Sequence, residues 1–220
     1  DEKILNNPPQ INQVFDILTK LKESGKIRHI GLSNFSKSRL EKDLSPSVSI
    51  GANQLPYNLL SRAIEFDTID ACQEKGIGII SYMTLMQGIL TGKYKSLREV
   101  SEWQRRTRHF DSAGAPKCRH GEPGFEAEIE NIIAALRTLA EETHISMSHL
   151  ATKWTIANPD ITCALVGARN LKQISDNVSA VQTPLENAVL VRLNQITEKL
   201  KGLMGNHLDY YESVANDRTL

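Results

Sequence analysis

The 220-residue sequence has little of three things: cysteine, net charge and long apolar stretches. Its cysteines, Cys72, Cys118 and Cys163, are odd in number and widely spaced, with no Cys-x-x-Cys pair. This spacing argues against both a disulfide framework and a thiolate zinc site. Lysine and arginine total 26, and so do aspartate and glutamate. A formal net charge of zero gives no general field that would attract a nucleic-acid backbone or an anionic membrane.

The longest apolar runs fall far short of the ~20 residues that a membrane-spanning helix needs. The first nine residues are polar and do not resemble a secretion signal. We therefore expect a cytoplasmic protein with neither a membrane nor a nucleic-acid partner. The sequence opens on Asp1 rather than methionine and continues into a polar segment with Pro8 and Pro9, so we also expect that an N-terminal part is missing.

What the sequence does have is a regular alternation of strand and helix patterns. Short apolar runs predict strands over 27–32, 49–54, 77–82 and 161–166, and the third is apolar enough for burial on both faces. Helical spacing of apolar residues, with a cap at Ser36 for a short helix, predicts helices over 11–24, 36–40, 62–75, 129–140, 147–157, 171–181 and about 184–204. A charged, irregular loop covers about 94–124, a length that is usually functional or mobile.

This order of elements predicts a parallel sheet with right-handed crossovers. Four strands fit either a flavodoxin-like open sheet or half of a (β/α)8 barrel, and the alternation alone does not choose between them.

Reacting groups of parallel α/β proteins collect where the strands end, so the four strand exits are the candidate site. Ser33, Asn34 and Gln54 offer a hydroxyl and two carboxamides, which both donate and accept and therefore suit a neutral amide ligand. Tyr82 offers an aromatic face. The fourth exit, 167–169, combines free backbone N–H groups, a helix dipole and a guanidinium, which suit a phosphate. Amide, flat ring and phosphate are the parts of a nicotinamide nucleotide.

Each of these residues also has an ordinary structural interpretation. Asparagine or glutamine at a strand end is usually a cap or turn residue. Taken alone, Tyr82 would more often fill the core, and Arg169 would more often be a surface charge. The joint spacing of these residues favours the ligand-binding interpretation.

Three other patterns carry less weight. Gly76-Ile77-Gly78 places its glycines before a strand rather than between strand and helix, so it is not a dinucleotide-binding motif. His109, Cys118 and His120 lack the paired spacing of metal ligands, so we predict no metal site. The arginine cluster at 105–108 is predicted to be a solvated loop face. Its functional alternative is a lid that lays a guanidinium on a cofactor's phosphates.

Four stretches carry a family resemblance, and they are GKIRHIGLSNF over 25–35, NQLPYN over 53–58, GILTGKY over 88–94, and Gly167-Ala168-Arg169 with Gln173 and Asn177. Their residues, order and spacing resemble the aldo-keto reductase family, and the resemblance covers essentially the whole chain. It implies the C-terminal half of a TIM-type (β/α)8 barrel, strands five to eight with flanking helices. It also implies a parent enzyme that reduces aldehyde or ketone carbonyls with NADPH.

The resemblance implies a role in binding NADP(H) for each matching residue. Ser33, Asn34 and Gln54 would hold the nicotinamide carboxamide, and Tyr82 would stack on the nicotinamide ring. The backbone of Leu85 and the ammonium of Lys93 would run along the pyrophosphate. Arg169 would bind the 2'-phosphate. The adenosine end would be held by Gly167, Gln173, Asp176 and Asn177.

Two departures from the family pattern stand out. Met83-Thr84 replaces the Ser-Pro that usually follows the stacking aromatic residue, which affects the course of the loop over the pyrophosphate. The family's catalytic Asp, Tyr, Lys and His come from strands two to four, and Asp1-Glu2-Lys3 resembles the segment just after the His-x-Pro-Asp end of strand four. The tyrosine is the general acid of such a site, so the resemblance implies that this chain carries no catalytic residue.

A non-catalytic alternative stays open: an NADP(H)-binding or sensing barrel relative, or an inactive fragment. The coding sequence upstream of Asp1 distinguishes the two classes. Upstream Asp, Tyr and Lys codons followed by His-x-Pro favour the enzyme, and a natural start codon near Asp1 favours the alternative. The substrate pocket would be formed by the variable loop over 94–124 and the C-terminal tail, so the sequence predicts neither the carbonyl substrate nor the oligomeric state.

Overall fold

The computed structural model describes residues 10–45 and 47–219, so the expectations for the first nine residues lie outside the described residues. Its strands are β1 (Ile30–Ser33), β2 (Ile50–Pro56), β3 (Gly78–Tyr82) and β4 (Ile161–Ala164). Its helices are α1 (Ile11–Glu23), α2 (Lys37–Lys42), α3 (Thr68–Glu74), α4 (Glu126–Thr143), α5 (Met147–Ala157), α6 (Leu171–Gln182) and α7 (Asn187–Met204). No helix in this part of the chain is both long and apolar enough to cross a membrane.

The four strands form one sheet in the order β1-β2-β3-β4, and every neighbouring pair is parallel. The predicted parallel sheet is therefore confirmed. Each strand lies beside the one that precedes it in the chain, without the reversal in strand order of a flavodoxin-like sheet. The sequential order favours a segment of a (β/α)8 barrel.

The core lies on one face of the sheet, where alternate strand residues such as Leu32, Leu55 and Ile79 are buried together with apolar residues of the helices. The opposite face is less covered, with Gly31 exposed and Ile80 half-buried there. The prediction that β3 is buried on both faces was wrong in this structure. Its side chains alternate between buried and half-buried because helices cover only one face.

Several element boundaries differ from the predictions, and three of these differences have local reasons. Strand β1 starts three residues late, because Gly25 turns the chain with φ +71° and the amide of Lys26 still donates to Leu21 at the end of α1. The helix predicted over 62–75 is a 3-10 turn (Ala63–Glu65) and α3, separated at Asp67. Helix α7 begins at Asn187 rather than near 184, because Thr183 still closes the end of α6.

A buried ion pair joins the 3-10 turn to α7. The Arg62 guanidinium is 2.8 Å from the Glu65 carboxylate, and it also donates to the Thr197 hydroxyl at 2.9 Å. The Tyr57 hydroxyl donates to the Glu65 carboxylate at 2.9 Å, and the Lys201 ammonium lies 3.0 Å from the same carboxylate. Burial opposes ionisation of Glu65, but the hydrogen bonds and charge of Arg62 hold the pKa of this carboxyl below its usual value.

We expect Arg62→Ala to lower the free energy of unfolding by about 3 kcal/mol, because it leaves the Glu65 carboxylate without its main partner in a buried site. Arg192→Ala is the matched control, since Arg192 also pairs from α7 with a carboxylate, that of Glu142, but at an exposed position. This control should change stability little. Urea denaturation measures both, and equal losses for the two variants would contradict the prediction.

Candidate functional site

The first two strand exits lie side by side at the carboxyl edge of the sheet. Ser33 is in register with Gln54, and the amide of Asn34 donates to the Gln54 carbonyl at 2.9 Å. Ser33 is exposed, whereas Asn34 and Gln54 are half-buried. The backbone pairing therefore brings the three predicted carboxamide-binding residues to one edge.

Asn34 and Tyr82 meet across this edge, and the Tyr82 hydroxyl donates to the Asn34 side-chain oxygen at 3.0 Å. Asn34 has φ +59°, a left-handed conformation that asparagine tolerates better than most residues. Burial, with a smaller contribution from Tyr211, raises the pKa of Tyr82 to about 12. The hydroxyl is therefore neutral at physiological pH and holds the Asn34 side chain in place.

Two buried asparagines that the sequence analysis did not single out position these exits. The Asn53 side chain donates to the Phe35 carbonyl at 2.8 Å and accepts from the Phe35 amide at 3.4 Å. The Asn58 side chain donates to the Met83 carbonyl at 3.0 Å. Both residues belong to the stretch 53–58, and the signal that could have identified them is an amide side chain in or just after a strand, which needs hydrogen-bond partners when it is buried.

The exits open into a cavity of about 300 Å³. Ser33, Asn34 and Tyr82 line it, whereas Gln54 does not. The C-terminal tail forms much of the opposite wall through Leu208, Asp209, Tyr210, Tyr211, Arg218 and Thr219. The sequence analysis assigned the tail to a substrate pocket without naming these residues.

The tail is held by an ion pair and by a bond to the start of α2. Arg218 donates to the Asp209 carboxylate at 3.0 Å, and the Ser36 hydroxyl donates to the Thr219 carbonyl. Burial opposes ionisation of Asp209, but the hydrogen bonds from Arg218 hold the pKa of this carboxyl below its usual value. The tail therefore closes over the first strand exit.

A buried histidine anchors the long loop over 94–124 to the turn that follows β2. His109 lies 2.8 Å from the Leu60 carbonyl through Nε2 and 3.1 Å from the Thr107 hydroxyl through Nδ1. A carbonyl only accepts, so Nε2 carries the proton. The Tyr210 ring lies 5.0 Å from the imidazole, centroid to centroid, which joins the loop to the tail. Burial lowers the pKa of His109 to about 4.

The prediction of a solvated arginine face at 105–108 was wrong for Arg108, whose exposed fraction is 3%. Its guanidinium pairs with Glu122 at 2.8 Å, and its amide donates to the Tyr210 carbonyl at 2.7 Å. These partners lie far along the chain, so a count of local charges does not reveal them. The loop is otherwise irregular as predicted, with short 3-10 turns at Leu97–Glu99 and Ser112–Gly114.

The segment after β3 is tied to the neighbouring strand exit by Thr84. This residue replaces the family's usual proline, and its buried hydroxyl donates to the Leu165 carbonyl at 2.9 Å. The Leu85 carbonyl accepts from the Gly88 amide at 2.8 Å. A Cβ at Gly88 would stand only 2.9 Å from the Lys93 ammonium, so glycine leaves the space that Lys93 uses.

The residues of the fourth exit gather at the start of α6. The Arg169 amide donates to the Gln173 side chain at 2.7 Å, and the Gln173 amide donates to the Asn170 side chain, which caps the helix. Gly167, Arg169 and Asp176 are exposed, and Asn177 is half-buried. None of them lines the cavity beside Tyr82. The candidate site therefore consists of a sheet-edge group and a helix-start group.

Possible metal ligands do not cluster in the described chain. Within residues 10–45 and 47–219, no group of three or more His, Cys, Asp and Glu side chains is placed to hold a metal ion. His109 already bonds to protein groups.

A parallel sheet with polar groups gathered at its carboxyl edge is the arrangement found in α/β proteins that bind ligands at the strand ends. A model of the aldo/keto reductase family matches residues 4–198. The chain therefore belongs to the aldo/keto reductase family, and the resemblance drawn from the four stretches is confirmed.

Several curated relatives are similar to the chain. It is 27% identical to the aldo-keto reductase yakc [NADP(+)] of Schizosaccharomyces pombe, over 84% of this chain and 52% of the relative. It is 31% identical to the L-glyceraldehyde 3-phosphate reductase of Escherichia coli O157:H7, over 72% and 46%. It is 26% identical to the NADH-specific methylglyoxal reductase of Escherichia coli K12, over 87% and 55%.

A solved structure shows the same fold. The glycerol dehydrogenase AKR11B4 from Gluconobacter oxydans superposes with a TM-score of 0.66 at 25% identity, over 88% of this chain and 56% of the dehydrogenase chain. The chain spans about half the length of the curated relatives that it matches.

We expect stability to fall as the pH drops from 7 to 5, partly because His109 is buried in its neutral form. An unfolded histidine has a pKa near 6.5, and the folded value of about 4 lies below it. The unfolded state therefore binds more protons in this window, and His109 should account for a loss of about 2 kcal/mol by pH 5.

Urea denaturation of the wild type and His109→Gln at pH 7 and pH 5 checks this expectation. The variant should lose less stability across the window, although buried His120, whose pKa is also lowered, still contributes. Tyr210→Phe is the control, since it removes the nearby buried hydroxyl that accepts from the Ala63 amide at 3.3 Å but keeps the imidazole, and it should keep the wild-type pH dependence. Identical pH dependence in the wild type and His109→Gln would show that His109 does not titrate as described.

Proposed function

We propose that the chain is the cofactor-binding half of an NADP(H)-dependent aldo-keto reductase that reduces aldehyde or ketone carbonyls. The observation that carries the proposal is the Asn34–Tyr82 pair at the mouth of the cavity. It sets an amide and an aromatic ring side by side, as a nicotinamide requires. Bound NADPH would supply the hydride.

The sheet edge would bind and orient the nicotinamide. The Tyr82 hydroxyl holds the oxygen of the Asn34 side chain, which leaves the amide nitrogen as a donor to the ligand's carboxamide oxygen. Ser33 and Gln54, which are in register beside it, would complete the carboxamide contacts. The ring of Tyr82 would stack on the nicotinamide and fix which face meets the substrate.

The phosphates would be bound at two places. The Lys93 ammonium stands in the space that Gly88 leaves free, beside the turn whose first carbonyl is that of Leu85, and would contact the pyrophosphate. Arg169 stands before the capped N-terminus of α6, where helix N–H groups favour an anion, and would bind the 2'-phosphate. Gly167, Gln173, Asp176 and Asn177 would surround the adenosine.

The names of the relatives support a nicotinamide cofactor, but they do not agree on whether it is NADP(H) or NADH. The yakc relative is named for NADP(+), and the methylglyoxal reductase is named as NADH-specific. The guanidinium at Arg169 is the reason for proposing NADP(H), because only that cofactor carries the phosphate it would pair with.

We also propose that the chain forms half of a (β/α)8 barrel spanning residues 1–220, whose other half supplies the catalytic Asp, Tyr, Lys and His. Strands β1 and β4 are the edges of the described sheet, and parallel edges pair when a barrel closes. The relatives are about twice as long as the matched segment. Exposed apolar residues on α6, Leu171, Ile174, Val178 and Val181, would then be covered.

The proposal places the enzyme in the cytoplasm. Cys72, Cys118 and Cys163 are free thiols in the structure, although Cys163 is exposed. Free thiols fit a reducing compartment. The substrate is a small carbonyl compound, and neither a nucleic acid nor a membrane is a proposed partner.

Arg169→Ala should weaken NADPH binding roughly ten- to a hundredfold while leaving NADH binding nearly unchanged, because it removes a charge-assisted bond to the 2'-phosphate. Lys172→Ala is the matched control, since Lys172 is an exposed cation in the first turn of the same helix. It should change neither affinity by more than about twofold, the effect of a screened surface charge.

The measurement is a pair of dissociation constants by fluorescence titration at fixed ionic strength. Equal losses for NADPH and NADH in Arg169→Ala would mean that Arg169 supports the fold or the pyrophosphate. No loss of affinity for either cofactor would mean that Arg169 is an ordinary surface charge.

The 220-residue chain should show no NADPH-dependent reduction of a panel of aldehydes, whereas the protein extended upstream should reduce them. The physical reason is that carbonyl reduction needs a general acid, which the proposal places upstream. Turnover is followed by the loss of NADPH absorbance in samples free of host reductases. Turnover by the shorter chain would contradict the division of roles, and no turnover by the longer protein would favour a non-catalytic NADP(H)-binding protein.

A further inference from the structure

A second cavity, of about 440 Å³, is lined by Arg106, Lys117, Arg119 and Tyr211. Three of these four residues carry a positive charge. Tyr211 also lines the cavity beside Tyr82, so the two cavities share a wall. We call the second one the cationic cavity.

The charges in the cationic cavity are only partly balanced by protein groups. Arg119 pairs with Glu212 at 2.9 Å. Arg106 and Lys117 lie 5.2 Å and 5.1 Å from the centroid of the Trp103 ring, one guanidinium and one ammonium on the same indole. Within residues 10–45 and 47–219, neither of these two cations forms an ion pair with a carboxylate. About two positive charges therefore remain for a ligand.

The backbone holds the two cations together. Lys117 has φ +65°, a left-handed conformation that costs roughly 1 kcal/mol for a residue other than glycine. The next residue, Cys118, donates its thiol to the Arg106 carbonyl at 3.6 Å and its amide to the Ala115 carbonyl at 3.1 Å. Strained backbone clusters at active and ligand-binding sites, and here it lies where two like charges are held together.

We propose that the cationic cavity binds the phosphate group of the substrate, so that the enzyme acts on small phosphorylated aldehydes or ketones. This inference rests on the proposed function. A phosphate monoester carries about −1.5 to −2 charges at pH 7, which matches Arg106 and Lys117 once Arg119 is paired with Glu212. A guanidinium can bind such a phosphate through two parallel hydrogen bonds.

The position of the cationic cavity separates this phosphate from those of the cofactor. The proposed cofactor phosphates lie beside Lys93 and Arg169, neither of which lines the cationic cavity. The cationic cavity instead adjoins the proposed nicotinamide position through Tyr211. A carbonyl at the nicotinamide and a phosphate in the cationic cavity would be joined by a short carbon chain that passes Tyr211.

The test uses Trp103 as a reporter, because a phosphate that binds Arg106 and Lys117 alters the contacts of its ring. Dihydroxyacetone phosphate is titrated into the protein with saturating NADP⁺, so that the cofactor's phosphate sites are filled. Dihydroxyacetone serves as the uncharged probe and pyruvate as the carboxylate probe. We expect a saturable fluorescence change with the phosphate probe, none with the uncharged probe, and at least tenfold weaker binding of pyruvate. Trp103→Phe should abolish the change, since the other tryptophan, Trp154, is buried.

The matched variants are the double substitutions Arg106→Gln with Lys117→Gln, and Lys95→Gln with Arg98→Gln. Each removes two cations from the same loop, but Lys95 and Arg98 are exposed and do not line the cationic cavity. The first pair should weaken binding of the phosphate probe at least about tenfold, the loss of one charge-assisted contact or more. The second pair should leave binding unchanged. The single substitutions Arg106→Gln and Lys117→Gln serve if the first double variant unfolds.

Equal binding of the uncharged probe, pyruvate binding as tight as phosphate, or equal losses in both double variants would overturn the proposal. NADPH affinity is measured on the same samples. Normal NADPH binding without any response to the phosphate probe overturns only the phosphate site. A phosphate response in a protein that fails to bind NADPH overturns the proposed function instead.

Discussion

The hydrogen bond from the His109 imidazole to the Leu60 carbonyl joins the long loop to the turn that follows β2. The imidazole also packs against the Tyr210 ring, so the same residue connects the loop to the tail. Tyr210 and Tyr211 place the tail against both cavities. A neutral imidazole can serve here because it both donates and accepts without carrying a charge into the core. This buried contact supports the cavity walls together with the bond from the Arg108 amide to the Tyr210 carbonyl and the Arg218–Asp209 pair.

The site combines strand exits that are fixed by backbone contacts with cavity walls formed by the long loop and the C-terminal tail. Backbone pairing sets Ser33 beside Gln54, and the buried amides of Asn53 and Asn58 fix the chain as it leaves β1 and β3. Every one of these contacts involves main-chain atoms, so they constrain position without selecting a ligand. The loop and the tail contribute side chains that line the two cavities. A family can therefore keep one cofactor and change substrates by changing these two segments.

Sequence patterns predicted the order of elements, the parallel sheet and the strand exits, because helical spacing, strand runs and capping residues act over a few neighbours. They failed where the decisive contact is distant in sequence. Arg108 lies in a charged stretch typical of a solvated loop, yet it is buried and bonded to Glu122 and the Tyr210 carbonyl. The break between Ala63–Glu65 and α3 was missed because apolar residues continue at helical spacing across it. The walls of both cavities depend on contacts of this distant kind.

A chain with no net charge can still have a strong local electric field. The distribution of its charges indicates which ligands this field can attract. Amides and an aromatic ring occupy the sheet edge, while cations stand at the start of α6, beside Gly88 and in the cationic cavity. Physiological salt screens exposed charges beyond about 8 Å, so each cation acts only on a ligand that enters its own cavity or turn. A net charge of zero gives no general field for a polyanion, whereas local groups of cations can bind a small phosphorylated molecule, as proposed. In that proposal, selectivity for phosphate comes from the placement of Arg106 and Lys117 and not from the overall charge of the protein.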